Sequence, residues 1–133
     1  MPQYAGLYVT MNPKGEIVMS RVTHRMMGEP KAFLLMFDRT NRRIGLKPTG
    51  INMRNAYPVC VGTRSGGKKV HGHRLIREYQ IDLPQTVLFH DARFEDGILI
   101  LDLRTAKISP RSAGHHRNRG KRFAESERYV GNM

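Results

Sequence analysis

Tryptophan is absent from the 133 residues, and cysteine occurs once, at Cys60. One thiol excludes an intramolecular disulfide and fits a reducing compartment. Set between Val59 and Val61 in a strand-like run, it is expected to be buried and inert. No apolar stretch approaches the roughly 20 residues of a membrane helix. The opening Met1-Pro2-Gln3-Tyr4 lacks the charged-then-apolar profile of a secretory signal. These absences together read as a cytoplasmic protein. Acids are scarce too, 11 Asp and Glu against 23 Lys and Arg, for a net charge of +12. No paired carboxylates and no serine-nucleophile motif rise above background, so no enzyme is expected, and no cofactor or small-molecule substrate.

What is present is positive charge. At this size it favours a polyanionic partner, most often nucleic acid. The charge is uneven. The first 103 residues read as a β-rich domain. Residues 104–133 hold eight basic and two acidic residues and read as a disordered basic arm. Its middle, from Arg111 to Arg122, has almost no apolar side chain with which to offset the roughly 1–2 kcal/mol per residue lost on ordering a backbone.

The body alternates strand and turn signals. Residues 4–11 are aromatic and β-branched, Asn12-Pro-Lys-Gly15 is a turn, and residues 16–19 form a return strand. Ser20 is placed to cap a helix over 21–27, stopped by Gly28 and Pro30. Residues 32–37 and 44–47 then read as a hairpin around the polar turn 38–43. A second half follows with a strand over 56–61, a basic loop over 63–69 and a helix over 73–80. It closes with a hairpin of 86–89 and 97–101. A gapless shift of 54 residues superposes the halves, pairing Val22 with Ile76, Pro30 with Pro84, Ile44 with Ile98 and Leu46 with Ile100. We read this as an internal duplication of about 12–49 onto 66–103. The expected fold is mainly β with short helices (α+β), two tandem strand–helix–hairpin units forming a small barrel.

Turn, glycine, strand, short helix and apolar hairpin, in that order, resemble the swapped-hairpin proteins of the SpoVT/AbrB superfamily. Two copies in one chain are similar to the MraZ arrangement. The resemblance implies interleaved hairpins in a β-barrel and DNA binding through Arg and Lys on loops and strands. Met27-Gly28 matches the end of the family's helix–leucine–glycine pattern, whereas Asp82-Leu83 lacks the glycine. No DNA contact is therefore carried over residue by residue.

The candidate contacts come from the basic residues themselves. Arg39, Arg42 and Arg43 share a hairpin tip, with Lys47 on the strand leaving it. Arg64, Lys68 and Lys69 share a loop, and Arg74 and Arg77 lie on the following helix. The arm adds Arg111, Arg117, Arg119, Lys121 and Arg122. Guanidinium groups bind phosphates bidentately and reach guanine edges. Gly62-Thr-Arg-Ser-Gly-Gly67-Lys68 has the spacing of a phosphate-binding loop, but Lys69 stands where a magnesium-binding hydroxyl is needed. A loop that touches a phosphate backbone fits better. His71, His73 and His90-Asp91 read as solvent-facing or phosphate-adjacent rather than as a metal set. The aromatics sit at core-like positions, which argues against an RNA stacking platform, with Tyr4 and Tyr8 as the exceptions. The leading expectation is a homo-oligomeric DNA-binding regulator or architectural factor. An RNA- or ribosome-associated protein, or a structural subunit of a larger assembly, is the alternative.

Overall fold

The computed structural model describes residues 7–64 and 66–109. Strands take 41% and helices 13% of them, so the domain is mainly β. The first half contains β1 (Val9–Met11), β2 (Glu16–Met19), α1 (Arg21–Met26), β3 (Ala32–Asp38) and β4 (Arg43–Thr49). The second contains β5 (Tyr57–Val61), β6 (Lys68–His71), α2 (His73–Tyr79), β7 (Val87–Leu88), β8 (Arg93–Glu95), β9 (Ile98–Asp102) and β10 (Lys107–Ile108). All ten strands join one curled antiparallel half-barrel, in the order β10-β7-β1-β2-β6-β5-β3-β4-β9-β8. No helix among the described residues is long and apolar enough to cross a membrane.

Local chemistry explains the first half. The Asn12 carboxamide oxygen accepts from the Lys14 and Glu16 amides at 3.0 Å each, and Gly15 closes the turn at φ +93°. Val9, Met11, Ile17 and Met19 then alternate into the core and are fully buried. Ser20 caps α1, its hydroxyl accepting from the Thr23 amide at 3.1 Å, an interaction that stabilises by about 1 kcal/mol. Within α1, the buried His24 donates from Nε2 to the Pro30 carbonyl beyond the helix at 2.8 Å. β3 and β4 pair along their whole length, from Ala32 opposite Thr49 to Asp38 opposite Arg43. Their inward residues Phe33, Ile44 and Leu46 are completely enclosed, each contributing about 1.5–3 kcal/mol of burial.

The inner strand order is pseudo-symmetric about the β2–β6 pair. β2 meets β6 with Ile17 opposite Val70, and outward from that pair stand β1 and β5, then β7 and β3, then β10 and β4. β3 of the first half thus pairs with β5 of the second, and β7 of the second pairs with β1 of the first. β9 and β8 extend one side only.

Several expectations are corrected. The last hairpin does not form: Val87-Leu88 pairs with β1 and β10, whereas β9 pairs with β4 and with β8. The 54-residue shift mismatches faces here, equating the fully buried Ile44 and Leu46 with the half-buried Ile98 and Ile100, while β4 and β9 pair with Ile44 opposite Leu101 and Leu46 opposite Leu99. Leu99 and Leu101 fill the core, while Ile98 and Ile100 lie on the other face and are only half-buried. A slip of one residue exchanges the two faces of a strand, which is how the apolar match misled. Lys68 and Lys69 stand in strand β6 and not in the loop. Cys60 is half-buried rather than buried, because Val59 opposes the buried Val70 and alternation turns Cys60 toward the face of Lys69.

The sheet also continues past Leu103. A turn anchored by Asp102, which accepts from the Arg104 amide at 2.9 Å, leads into β10, and the Ser109 amide donates to the Thr86 carbonyl. Burial pushes the Asp102 carboxyl upward, but the Arg104 amide and guanidinium outweigh it and hold it below the usual carboxylate range. Residues 104–109 therefore belong to the half-barrel. The arm arginines and lysine from 111 to 122, and Tyr4, lie outside the described residues.

Candidate functional site

Helix α2 and the β3–β4 tip form one unit. Leu75 is buried and Ile76 and Tyr79 pack on the core, so Arg74, Arg77 and Glu78 face outward at helical spacing. The Tyr79 and Phe37 rings lie 5.1 Å apart at 44°. The Arg39 guanidinium sits over Tyr79 at 5.5 Å, and that of Arg42 over Phe37 at 5.3 Å. Each such contact is worth about 0.5–1 kcal/mol when exposed, enough to restrain a long side chain while leaving its charge available. Arg43 is different, pairing with Asp38 at 3.4 Å. Asp38 lies below the usual carboxylate range chiefly because Asn41 donates to it from side chain and backbone.

At the other end of α2, the Arg74 guanidinium lies 5.1 Å from the Tyr57 ring centroid, and its Nε donates to the phenolic oxygen at 3.3 Å. Between α2, β3 and the 50–56 connection runs a groove of about 490 Å3. Leu34, Leu35 and Leu75 form its apolar side, and Arg54, Asn55, Tyr57, Arg74, Glu78 and Tyr79 line the rest.

The second basic cluster is the β5–β6 turn. The Gly62 amide donates to the Gly67 carbonyl and the Gly67 amide to the Thr63 hydroxyl, both at 2.9 Å. With β5 paired to β6, this is a β-hairpin connection, not the strand-to-helix loop of a nucleotide hydrolase. Arg64 stands exposed near its tip, and Arg21 of α1 lies against Gly66, where a Cβ would come within 2.9 Å of the arginine Cδ. Lys69 pairs with Glu16 at 3.7 Å, and His71 Nδ1 lies at the same distance from that carboxylate. Lys47 is exposed on β4, opposite Leu34. His90 neighbours Asp91 at 3.7 Å, and among the described residues no three His, Cys, Asp or Glu side chains converge as a metal site.

The proposed cations thus divide. Arg43 and Lys69 have carboxylate partners, whereas Arg39, Arg42, Lys47, Arg64, Lys68, Arg74 and Arg77 have none among the described residues. The sequence did not single out Arg21 or Arg54, nor the way Tyr57 and Tyr79, which pack against the core, also line the groove. Arg54-Asn-Ala-Tyr57, a cation and an aromatic flanking the start of a strand, was the available signal.

The Glu16 carboxyl is held below its ordinary value of 4.5, first by the Asn12 carboxamide donating at 2.9 Å, then by Lys69 and His71. A depressed native value contributes stability above pH 4.5 that is lost as pH falls through the native value. Asn12→Ala is expected to cost about 1–2 kcal/mol at pH 7, since it also strips the turn of its side-chain acceptor. The gap to the parent should narrow below pH 4.5 in urea titrations run across pH. A gap independent of pH would refute the link to Glu16.

No family model, curated protein or solved structure matches this chain.

Proposed function

We propose that the chain is a non-enzymatic nucleic-acid-binding protein with duplex DNA as its favoured partner, a cytoplasmic transcriptional regulator or architectural factor. One observation carries the reading. Arginines with no carboxylate partner among the described residues are restrained by aromatic rings at the β3–β4 tip and along α2, on a protein of net charge +12. Restrained, unpaired guanidinium groups suit phosphate contacts, because less side-chain entropy is lost on docking. Arg64, Lys68 and the basic arm extend that surface.

The pseudo-symmetric placing of β1 and β5, and of β7 and β3, about β2–β6 supports two tandem units that exchange strands within one chain, in line with the SpoVT/AbrB resemblance. Self-association is part of the proposal. Met36, Ile98 and Ile100 surround Gly45 in a shallow apolar hollow of about 240 Å3 on the outer face of β3, β4 and β9, suited to a second copy.

The test is competition. With labelled duplex bound to the full chain, unlabelled duplex of equal length should displace it better than structured RNA. Better displacement by RNA transfers the function to RNA, and displacement by neither refutes nucleic-acid binding.

A further inference from the structure

We infer that the α2–β3 groove is a nucleotide site that takes one flat base and its phosphate, with guanine preferred. The inference goes beyond the duplex reading, since it uses the groove rather than the outer loops.

Three features carry it. First, the groove is amphiphilic and of ligand size, about 490 Å3 against the roughly 300–1,000 Å3 common for small-molecule sites. Its apolar wall of Leu34, Leu35 and Leu75 suits a ring, and Arg74 and Tyr79 stand about 7.5 Å apart along the helix axis. Second, both tyrosines that line it carry a guanidinium over the ring, Arg74 of the lining over Tyr57 and Arg39 from the β3–β4 tip over Tyr79. A base stacks on a guanidinium plane or a phenol ring alike.

Third, several of its polar groups are unpaired among the described residues. Arg74 and Glu78 are placed to form an ion pair one helical turn apart, yet Arg74 turns to Tyr57 instead. Glu78, Arg54 and Asn55 make no hydrogen bond or ion pair among the described residues. The groove sets one carboxylate beside the cations Arg54 and Arg74. It favours a ligand that is anionic at one end and donates N–H groups at the other. Guanine offers two adjacent N–H donors, N1–H and the 2-amino group, to one carboxylate, while its phosphate meets Arg54 and Arg74. Asn55, at φ +65° on the rim, adds a neutral donor and acceptor.

The experiment is an NMR titration of the isotope-labelled full chain with GMP, AMP, CMP and inorganic phosphate. A second pair of probes is an oligothymidylate with and without one guanine. GMP should give saturable shifts at Arg54, Tyr57, Arg74 and Glu78, and phosphate alone should bind at least about tenfold more weakly. Arg54→Ala should weaken GMP about tenfold, and Glu78→Gln should erase the preference over AMP, both with the parent's remaining spectrum intact. Binding of GMP but not of the guanine-bearing strand identifies a free nucleotide as ligand, and binding of the strand identifies a base presented by nucleic acid. The proposal is overturned if no nucleotide saturates the groove, if phosphate matches GMP, or if Arg54→Ala changes nothing. Loss of duplex binding with GMP binding retained removes the earlier reading and leaves this one standing.

Discussion

Gly15→Ala is expected to destabilise the protein by about 2–5 kcal/mol, a large share of the roughly 5–15 kcal/mol that holds a small domain together. Two effects add. Gly15 sits at φ +93°, where an L side chain is strained by about 1–2 kcal/mol. Its missing Cβ also leaves room for another element: a methyl there would stand 2.8 Å from the His73 Cα and the Ile76 Cγ1, and 2.9 Å from the His73 nitrogen. Two of those atoms are backbone, so α2 itself must move, an overpacking worth about 1–3 kcal/mol. The Gly15 carbonyl also accepts the Gly72 amide at 2.9 Å, so the same shift strains the hydrogen bond that joins the first turn to the second helix. Gly28→Ala is the control. Its φ is +89° but nothing lies within 4 Å of the added methyl, so only the backbone penalty applies. Urea unfolding of both variants separates the two effects. Equal losses would mean that the turn and α2 do not pack as described.

Gly15 also marks what the sequence discloses. Its turn was legible, because Asn12, Pro13 and Gly15 act within a few residues of one another. The Ser20 cap, the stop at Gly28 and Pro30, and the β3–β4 pairing were legible for the same reason. The contact of Gly15 with His73 was not, since nothing near Gly15 encodes a partner that distant. The second half shows the limit more sharply. Val87 and Leu88 make a strand of two residues, too short to carry a register, and their partners Thr10, Met11, Lys107 and Ile108 come from both ends of the domain. Arg93-Phe-Glu95 has the composition of a turn and becomes an edge strand only because β9 is beside it. At the site, the hairpin-tip arginines could be read from a polar turn between apolar runs. The pairing of Arg74 with Tyr57 could not, because it joins residues 17 apart through the tertiary fold.

The largest effect on binding is expected from salt, and it distinguishes free from paired cations. If the chain neutralises six to ten phosphates, log affinity should fall against log salt with a slope of about −5 to −9. That is a loss of about 10³–10⁵-fold between 50 and 200 mM. Each released contact accounts for about 0.9 of the slope, so individual groups can be assigned. Changing Arg39, Arg42 and Arg77 together to Gln should flatten it by up to about 2.7, because none has a carboxylate partner among the described residues. Changing Arg43 and Lys69 should do less per residue, since Asp38 and Glu16 already compensate their charge. Glutamine at Arg111, Arg117, Arg119, Lys121 and Arg122 should flatten it by up to about 4.5 while β10 and Ser109 stay in place, which truncation at Leu103 would not allow. The two multiple variants then divide the work. Residual DNA preference in the arm variant makes the half-barrel the reader and the arm its anchor. Complete loss in the arm variant, with no change on the hairpin tip and α2, makes the half-barrel a partner-binding module. A flat salt response in the parent removes phosphate contact altogether.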